Sequence, residues 1–575
     1  MKFGHLELDP AENPAVLDSA TWDSAAAWKA IADSTCDWTS VRRGAEGEAR
    51  LAQGQPIQLH APSATTSPTA GFILASLPDG QDVLLRIGGG TTNELGEPLG
   101  LKRLASGETL AAYPAEAAVI DRFCRAFKPQ KAARPLGATP RLGVGTRMTN
   151  SVWPGIFAAM AKGGFAANAI QNSVRELNLL GALREGAPPA RNFSTGIGMV
   201  ECGWAGSTYE GLWLAGVLAA LKWNGALCYG ADADHVQAKR GAGGMERAKR
   251  VLCAARYYSF YTLDMADVLD YAALEARSAS AAEEFLTRKL PDRVERTGVL
   301  ECHQRPFRLG SEVLRLDGPA VGRFVGKYWD TLDCLEELAR YIAGLKEEPR
   351  FDLELTIDEH PPEVAAFDCL TSNEEVLFLA RELQRRRLPV THLAPNFGQE
   401  KGCDYRGPDG LAGLERRVRA QFQIATDFGL MLDVHSGDDL TAAPRRVFHR
   451  ATGGSLHFKV SPRLQLIYAE LLQEYYPDLF RRWWQDALGY AKDEAAQGSP
   501  LARRCLAELE AVGAAPSPSW RHAVFHYFSF PFVGRRGKDG QFLHRHEFYR
   551  LSADFNGAYQ ERICDYLCQL ANDLF

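Results

Sequence analysis

The sequence has no Cys-x-x-Cys pair, and its twelve cysteines stand without regular spacing. That pattern suits free thiols in a reducing cytoplasm. The N-terminus, Met1 to Glu7, is polar and lacks the apolar core of a signal peptide, and no apolar run is long enough to span a bilayer. A cytoplasmic protein without a membrane partner is expected. The formal net charge is only −6, with no concentrated basic stripe, which argues against a nucleic-acid partner. The densest basic cluster, Arg385 to Arg387, closes a predicted helix, where cations complement the negative end of the dipole. A GxxxxGK[ST] loop and a GxGxxG unit are both missing, which disfavours a doubly wound nucleotide-binding sheet.

What is present is an ordinary globular composition, 46% hydrophobic and 24% charged over 575 residues. Residues 1–135 read as a small β-containing N-terminal domain. Strands are expected at Gly71 to Leu77 and Val83 to Ile87, joined by the turn signal Pro78-Asp79-Gly80. From residue 136 to 575 the pattern becomes strand, loop, helix, repeated, as in a (β/α)8 TIM-like barrel finished by C-terminal helices. Short apolar segments end in Asp, Glu or His: Ala226 to Tyr229 before Asp232, Asp234 and His235; Ser259 to Leu263 before Asp264 and Asp267; Phe351 to Ile357 before Asp358-Glu359-His360; Leu388 to Thr391 before His392; Leu430 to Val434 before His435, Asp438 and Asp439. In a βα barrel such strand ends share one face, where active sites are built. Two more barrel strands are placed near Arg141 and near Phe525.

His235, His435 and His457 with the carboxylates at Asp232, Asp234, Asp358, Glu359, Asp438 and Asp439 form a set suited to a divalent cation such as manganese, nickel, cobalt or zinc. Each histidine alone reads more readily as a hydrogen-bonded structural residue, and it is their convergence at strand ends that points to a site. The pair Asp358-Glu359 serves as metal ligand, proton carrier or helix N-terminal charge. Lys401, in a glycine-punctuated loop, suits a substrate carboxylate or an exposed surface. Lys459, between Phe458 and Val460, needs a reason to stand in an apolar strand.

At these residues the chain resembles the tagaturonate epimerase family. The resemblance runs through GADADH (Gly230 to His235), FYTLDMAD (Phe260 to Asp267), TIDEH (Thr356 to His360), LAPNFGQEKGCDY (Leu393 to Tyr405), DVHSGDD (Asp433 to Asp439) and GGSLHFK (Gly453 to Lys459). A weaker match covers Ile170 to Glu176 and Arg545 to Phe575. It implies a metal-dependent isomerase interconverting tagaturonate and fructuronate, with fructose and tagatose as related substrates. It makes His235, Glu359, His435 and His457 metal candidates and Asp234, Lys401 and Asp439 catalytic candidates. Arg147, Gln171, Asn172 and Lys459 become candidates for gripping a small sugar acid. Assembly with copies of itself stays open. The chain departs from the family pattern at Gly145-Thr146-Arg147 and Pro154-Gly155-Ile156, where a GDR-like tripeptide and a PGH are expected. Two other readings are carried: a metal-dependent ketose isomerase or 3-epimerase acting through an enediol, and an inactive sugar-acid-binding homologue.

Overall fold

The structure is a computed structural model that describes residues 2–3, 6–7, 23–42, 48–51, 56–90, 93–147, 151–194, 198–205, 207–241, 243–276, 278–347, 350–358, 364–400, 403–435, 437–511 and 517–575. Its N-terminal part is a seven-stranded antiparallel sheet. Ala70–Ser76 and Asp82–Gly88 form the hairpin that Pro78-Asp79-Gly80 announces, and both are almost wholly buried. Helix Ala117–Phe127 covers the sheet with Val119, Ile120 and Phe123.

A closed barrel of eight parallel strands follows. In chain order these are β1 (Arg141–Gly145), β2 (Ala166–Ser173), β3 (Tyr229–Gln237), β4 (Phe260–Asp264), β5 (Asp352–Thr356), β6 (His392–Ala394), β7 (Met431–Val434) and β8 (His457–Val460). Each strand pairs with its chain neighbour, and β8 returns to β1 with Arg141 opposite His457. The barrel expected from the repeating pattern is therefore present, with two differences. Phe525 lies in the helix Ala523–Phe528, not in a strand. The strand that takes its place in the count is β2, whose small and polar residues are buried on both faces and show no alternation. In addition, the GADADH run is itself strand β3, where a loop after a strand was expected.

The floor of the barrel is tied to the segment that enters it. Arg141 donates to Asp352 at 2.9 Å with both side chains buried, and the same carboxylate accepts the backbone N–H groups of Leu136 and Gly137. The C-terminal helix Ala553–Leu574 closes the outer ring against Val152–Gly163. A Cβ on Gly155 would meet Gln560 O at 2.7 Å, so glycine permits this close approach. Ile156, on the same helix, is fully buried in the core. The helix Asn373–Arg385 starts with a Ser372/Glu375 capping box, and Glu375 also accepts from buried Lys327 and Tyr328 at 2.7 and 2.8 Å.

At its other end the arginine run behaves as the charge pattern expects. Arg385 donates to Glu382 at 2.7–3.0 Å and Arg386 at 3.3 Å, while His303 reaches the same buried carboxylate at 2.8 Å. Burial pushes Glu382 up, but the hydrogen bonds from His303 and Arg385 win and hold its pKa at about 2. A depressed folded-state pKa stabilises above the ordinary carboxylate range, and that contribution is lost as pH falls toward 2. Glu382→Gln should therefore cost about 3 kcal/mol at pH 7 and almost nothing near pH 2, read by urea unfolding at both values. An equal cost at the two pH values would contradict this assignment.

Candidate active site

The interior of the barrel is polar because alternate residues of its strands turn inward. On β5, Leu353 and Leu355 face the helices, and Glu354 points into the barrel with Asp358 just past the strand end. On β3 the pairing register slips between Ala233 and Val236. Such a bulge re-aims side chains. Here it accompanies His235 in the left-handed region at φ 52°, a conformation that costs free energy for a non-glycine residue. Both Asp234 and His235 consequently reach the rim, each 9% exposed.

Lys459 stands at the centre, 4% exposed. Its ammonium lies 2.6 Å from Glu354 Oε2, 3.0 Å from Asp234 Oδ1, 3.1 Å from Asp232 Oδ2 and 2.6 Å from Thr262 Oγ1. Thr262 also contacts Asp232 and Glu354 at 3.0 Å. Gly143 on β1 makes the room: a Cβ there would lie 2.8 Å from Lys459 Cγ, 2.9 Å from His457 Nε2 and 2.4 Å from Gln171 Oε1. Burial opposes the lysine charge, but Asp232, Asp234 and Glu354 outweigh it and raise its pKa well above the usual value. Burial likewise pushes Asp234 up, while Lys459, His235 and His435 bring it down to about 2.

His435 follows β7 and faces His235, with ring centroids 5.1 Å apart. Its Nε2 is 2.7 Å from Glu354 Oε1 and its Nδ1 3.2 Å from Asp358 Oδ2. Burial disfavours its charge, yet Asp358 and Glu354 raise its pKa to about 10. His235 Nδ1 lies 3.4 Å from Asp264 Oδ2. The Nδ1 atoms of both histidines and Asp358 Oδ1 are buried without a well-directed hydrogen bond.

His457 begins its strand instead of ending it, so it sits on the floor, away from the rim pair. Its Nδ1 is 2.8 Å from Asp433 Oδ2, and His392, Asp433 and His457 bring potential ligand atoms within 4.8 Å of one another, all fully buried. Gln171 and Asn172 lie on β2, where Asn172 Oδ1 accepts the backbone N–H and the hydroxyl of Thr146 at 3.0 and 2.8 Å. Arg147 leaves β1 and pairs with Glu176 at 2.8 Å. Asp439 sits in the turn Gly437–Asp439 beside Asp438, near His526 and Tyr527. Glu359 and Lys401 fall outside the described residues.

Glu354 and Thr262 are central here and were not singled out from sequence. The signal was available: the apolar alternation at Leu353, Leu355 and Ile357 leaves Asp352, Glu354, Thr356 and Asp358 on the opposite, inward face.

The fold and this mouth define a (β/α)8-barrel protein with a buried lysine–carboxylate centre and a histidine–carboxylate rim. The chain belongs to the tagaturonate epimerase family, whose sequence profile matches residues 205–498, just over half its length. It is 28% identical over 272 residues to the tagaturonate/fructuronate epimerase of Thermotoga maritima, covering 46% of this chain and 51% of that one. The chain thus spans about half the length of this curated relative. The native crystal structure of the fructuronate-tagaturonate epimerase of Cohnella laeviribosi superposes with TM-score 0.67 at 20% identity, over 90% of this chain and 96% of that chain. A glycerol complex of the same protein gives 0.65 at 21% identity with the same coverage. At that identity the likeness establishes a shared fold. Among the described residues, no helix is long and apolar enough to cross a membrane.

Proposed function

We propose that the chain interconverts D-tagaturonate and D-fructuronate at the barrel mouth, with a divalent metal ion held by His235 and His435 together with Asp358 and Asp264. The observation that carries this reading is the rim pair itself: two buried imidazoles face each other, each Nδ1 lacking a directed partner and close to a carboxylate. Mixed nitrogen and oxygen donors suit manganese, cobalt, nickel or zinc. The floor trio has a similar donor set, but it is fully enclosed, so no sugar atom reaches it.

In this reaction the inverted carbon lies β to the ketone, so its hydrogen is not acidified by enolisation. Breaking the neighbouring carbon–carbon bond avoids an unstabilised carbanion. Asp234 takes the proton from the hydroxyl on the inverted carbon as that carbonyl forms. The bond's electron pair passes to the keto half of the sugar. The aldehyde turns and re-adds, and Asp234 returns its proton to the new hydroxyl. A bound ion supplies Lewis-acid stabilisation of the negative charge on the keto half.

Two readouts test this reading. In D2O the product should carry no deuterium at the inverted carbon; obligatory label there would count against carbon–carbon cleavage, and label confined to the carbon next to the ketone, with inversion at that carbon, would favour an enediol route. Metal content should fall in His435→Gln and persist in His457→Gln; the reverse would place the ion in the floor trio.

A further inference from the structure

The proposed substrate carries a carboxylate, and the described residues offer few cations to receive it. Lys459 has three N–H bonds and four acceptors already within 3.1 Å, so none is left for a ligand. Arg147 pairs through Nε with Glu176 at 2.8 Å, and Glu176 also accepts Ser173 N–H at 2.8 Å.

Arg463 differs. It follows β8 at the start of the helix Pro462–Tyr475, on the rim beside Asp438. The Asp438 carboxylate fixes that helix start, accepting the N–H groups of Ser461 at 2.9 Å and Arg463 at 3.1 Å. The Arg463 guanidinium has no acidic partner among the described residues and lies 5.2 Å from the centre of the Trp520 ring. Arg521 takes the same ring at 4.9 Å. Trp520 opens the segment that crosses this sector of the rim, and Gln465 anchors the segment by donating to Ser529 at 2.7 Å. That segment carries His526, whose ring packs edge-on against Tyr527 with centroids 4.9 Å apart. Of the acids on this sector of the rim, Asp438 is held by backbone N–H groups and Glu176 pairs with Arg147.

We propose that Arg463, held against Trp520, receives the substrate's carboxylate and sets the preference for sugar acids over neutral ketoses. A planar guanidinium braced on an aromatic face suits two-point recognition of a carboxylate. The inference rests on the sugar-acid reading above.

Isothermal titration of the full chain with fructuronate and with fructose, alongside turnover of both, tests it. Arg463→Gln should weaken fructuronate binding and kcat/KM by roughly 10²-fold while leaving fructose values and thermal stability unchanged. Arg463→Lys should recover part of the loss. Unchanged fructuronate binding in Arg463→Gln would overturn the proposal, as would an equal loss for both sugars or no fructuronate binding by the parent protein. If the parent binds fructuronate but converts neither sugar, loss of binding in Arg463→Gln upholds the anion site while the epimerase reading falls.

Discussion

Replacing Lys459 by methionine is expected to destabilise the protein by about 3–5 kcal/mol, the range seen when one partner of a buried ion pair is removed. The similar volume of methionine keeps cavity formation small. What remains is electrostatic: Asp232, Asp234 and Glu354 would lose the cation they share within 2.6–3.1 Å, and burial gives them little water in exchange. Asp232 already sits near pKa 7, because burial, Asp234 and Glu354 raise it against the pull of Lys459. Urea unfolding at pH 7 measures the loss. Full stability in Lys459→Met, combined with a raised KM for the sugar acid, would instead make this lysine a substrate ligand.

The second large effect concerns Asp234. Asp234→Asn keeps the shape and the contact to Lys459 but removes the proton acceptor at the mouth. It should lower kcat by roughly 10²–10⁴-fold, the usual contribution of a positioned general base. Circular dichroism and thermal unfolding should stay near the parent, since Asp232 and Glu354 still neutralise Lys459. Turnover within twofold of the parent would remove Asp234 from the chemistry.

Most of the barrel was legible in the sequence because apolar strands with charged ends repeat between helices. β2 was not, for a physical reason. Ala166 to Ser173 packs small side chains outward against helices and turns Asn168 and Gln171 toward a polar interior, so hydrophobic periodicity vanishes. The helix at Phe525 misled in the opposite way, because a short apolar run looks the same in a buried helix and a buried strand. At the site, the strand-end residues Asp234, His235 and His435 do converge. Residue type could not tell that His457 starts its strand and lies on the floor, since depth along the barrel depends on where pairing begins. Nor does a sequence show that the lone lysine in β8 is saturated by acids from β3 and β5, 225 positions away at Asp234 and 105 at Glu354. Arg463 and His526 escaped notice because they approach the rim from the segments that follow the last strand.

The most direct test of the account is to strip the protein with chelator, reload it with manganese, cobalt, nickel or zinc, add fructuronate, and follow the sugar by NMR. The account predicts that tagaturonate appears with at least one metal and not in the stripped protein. Fructuronate that stays unchanged with every metal, while still binding, would contradict it and identify the chain as a sugar-acid-binding member of its family.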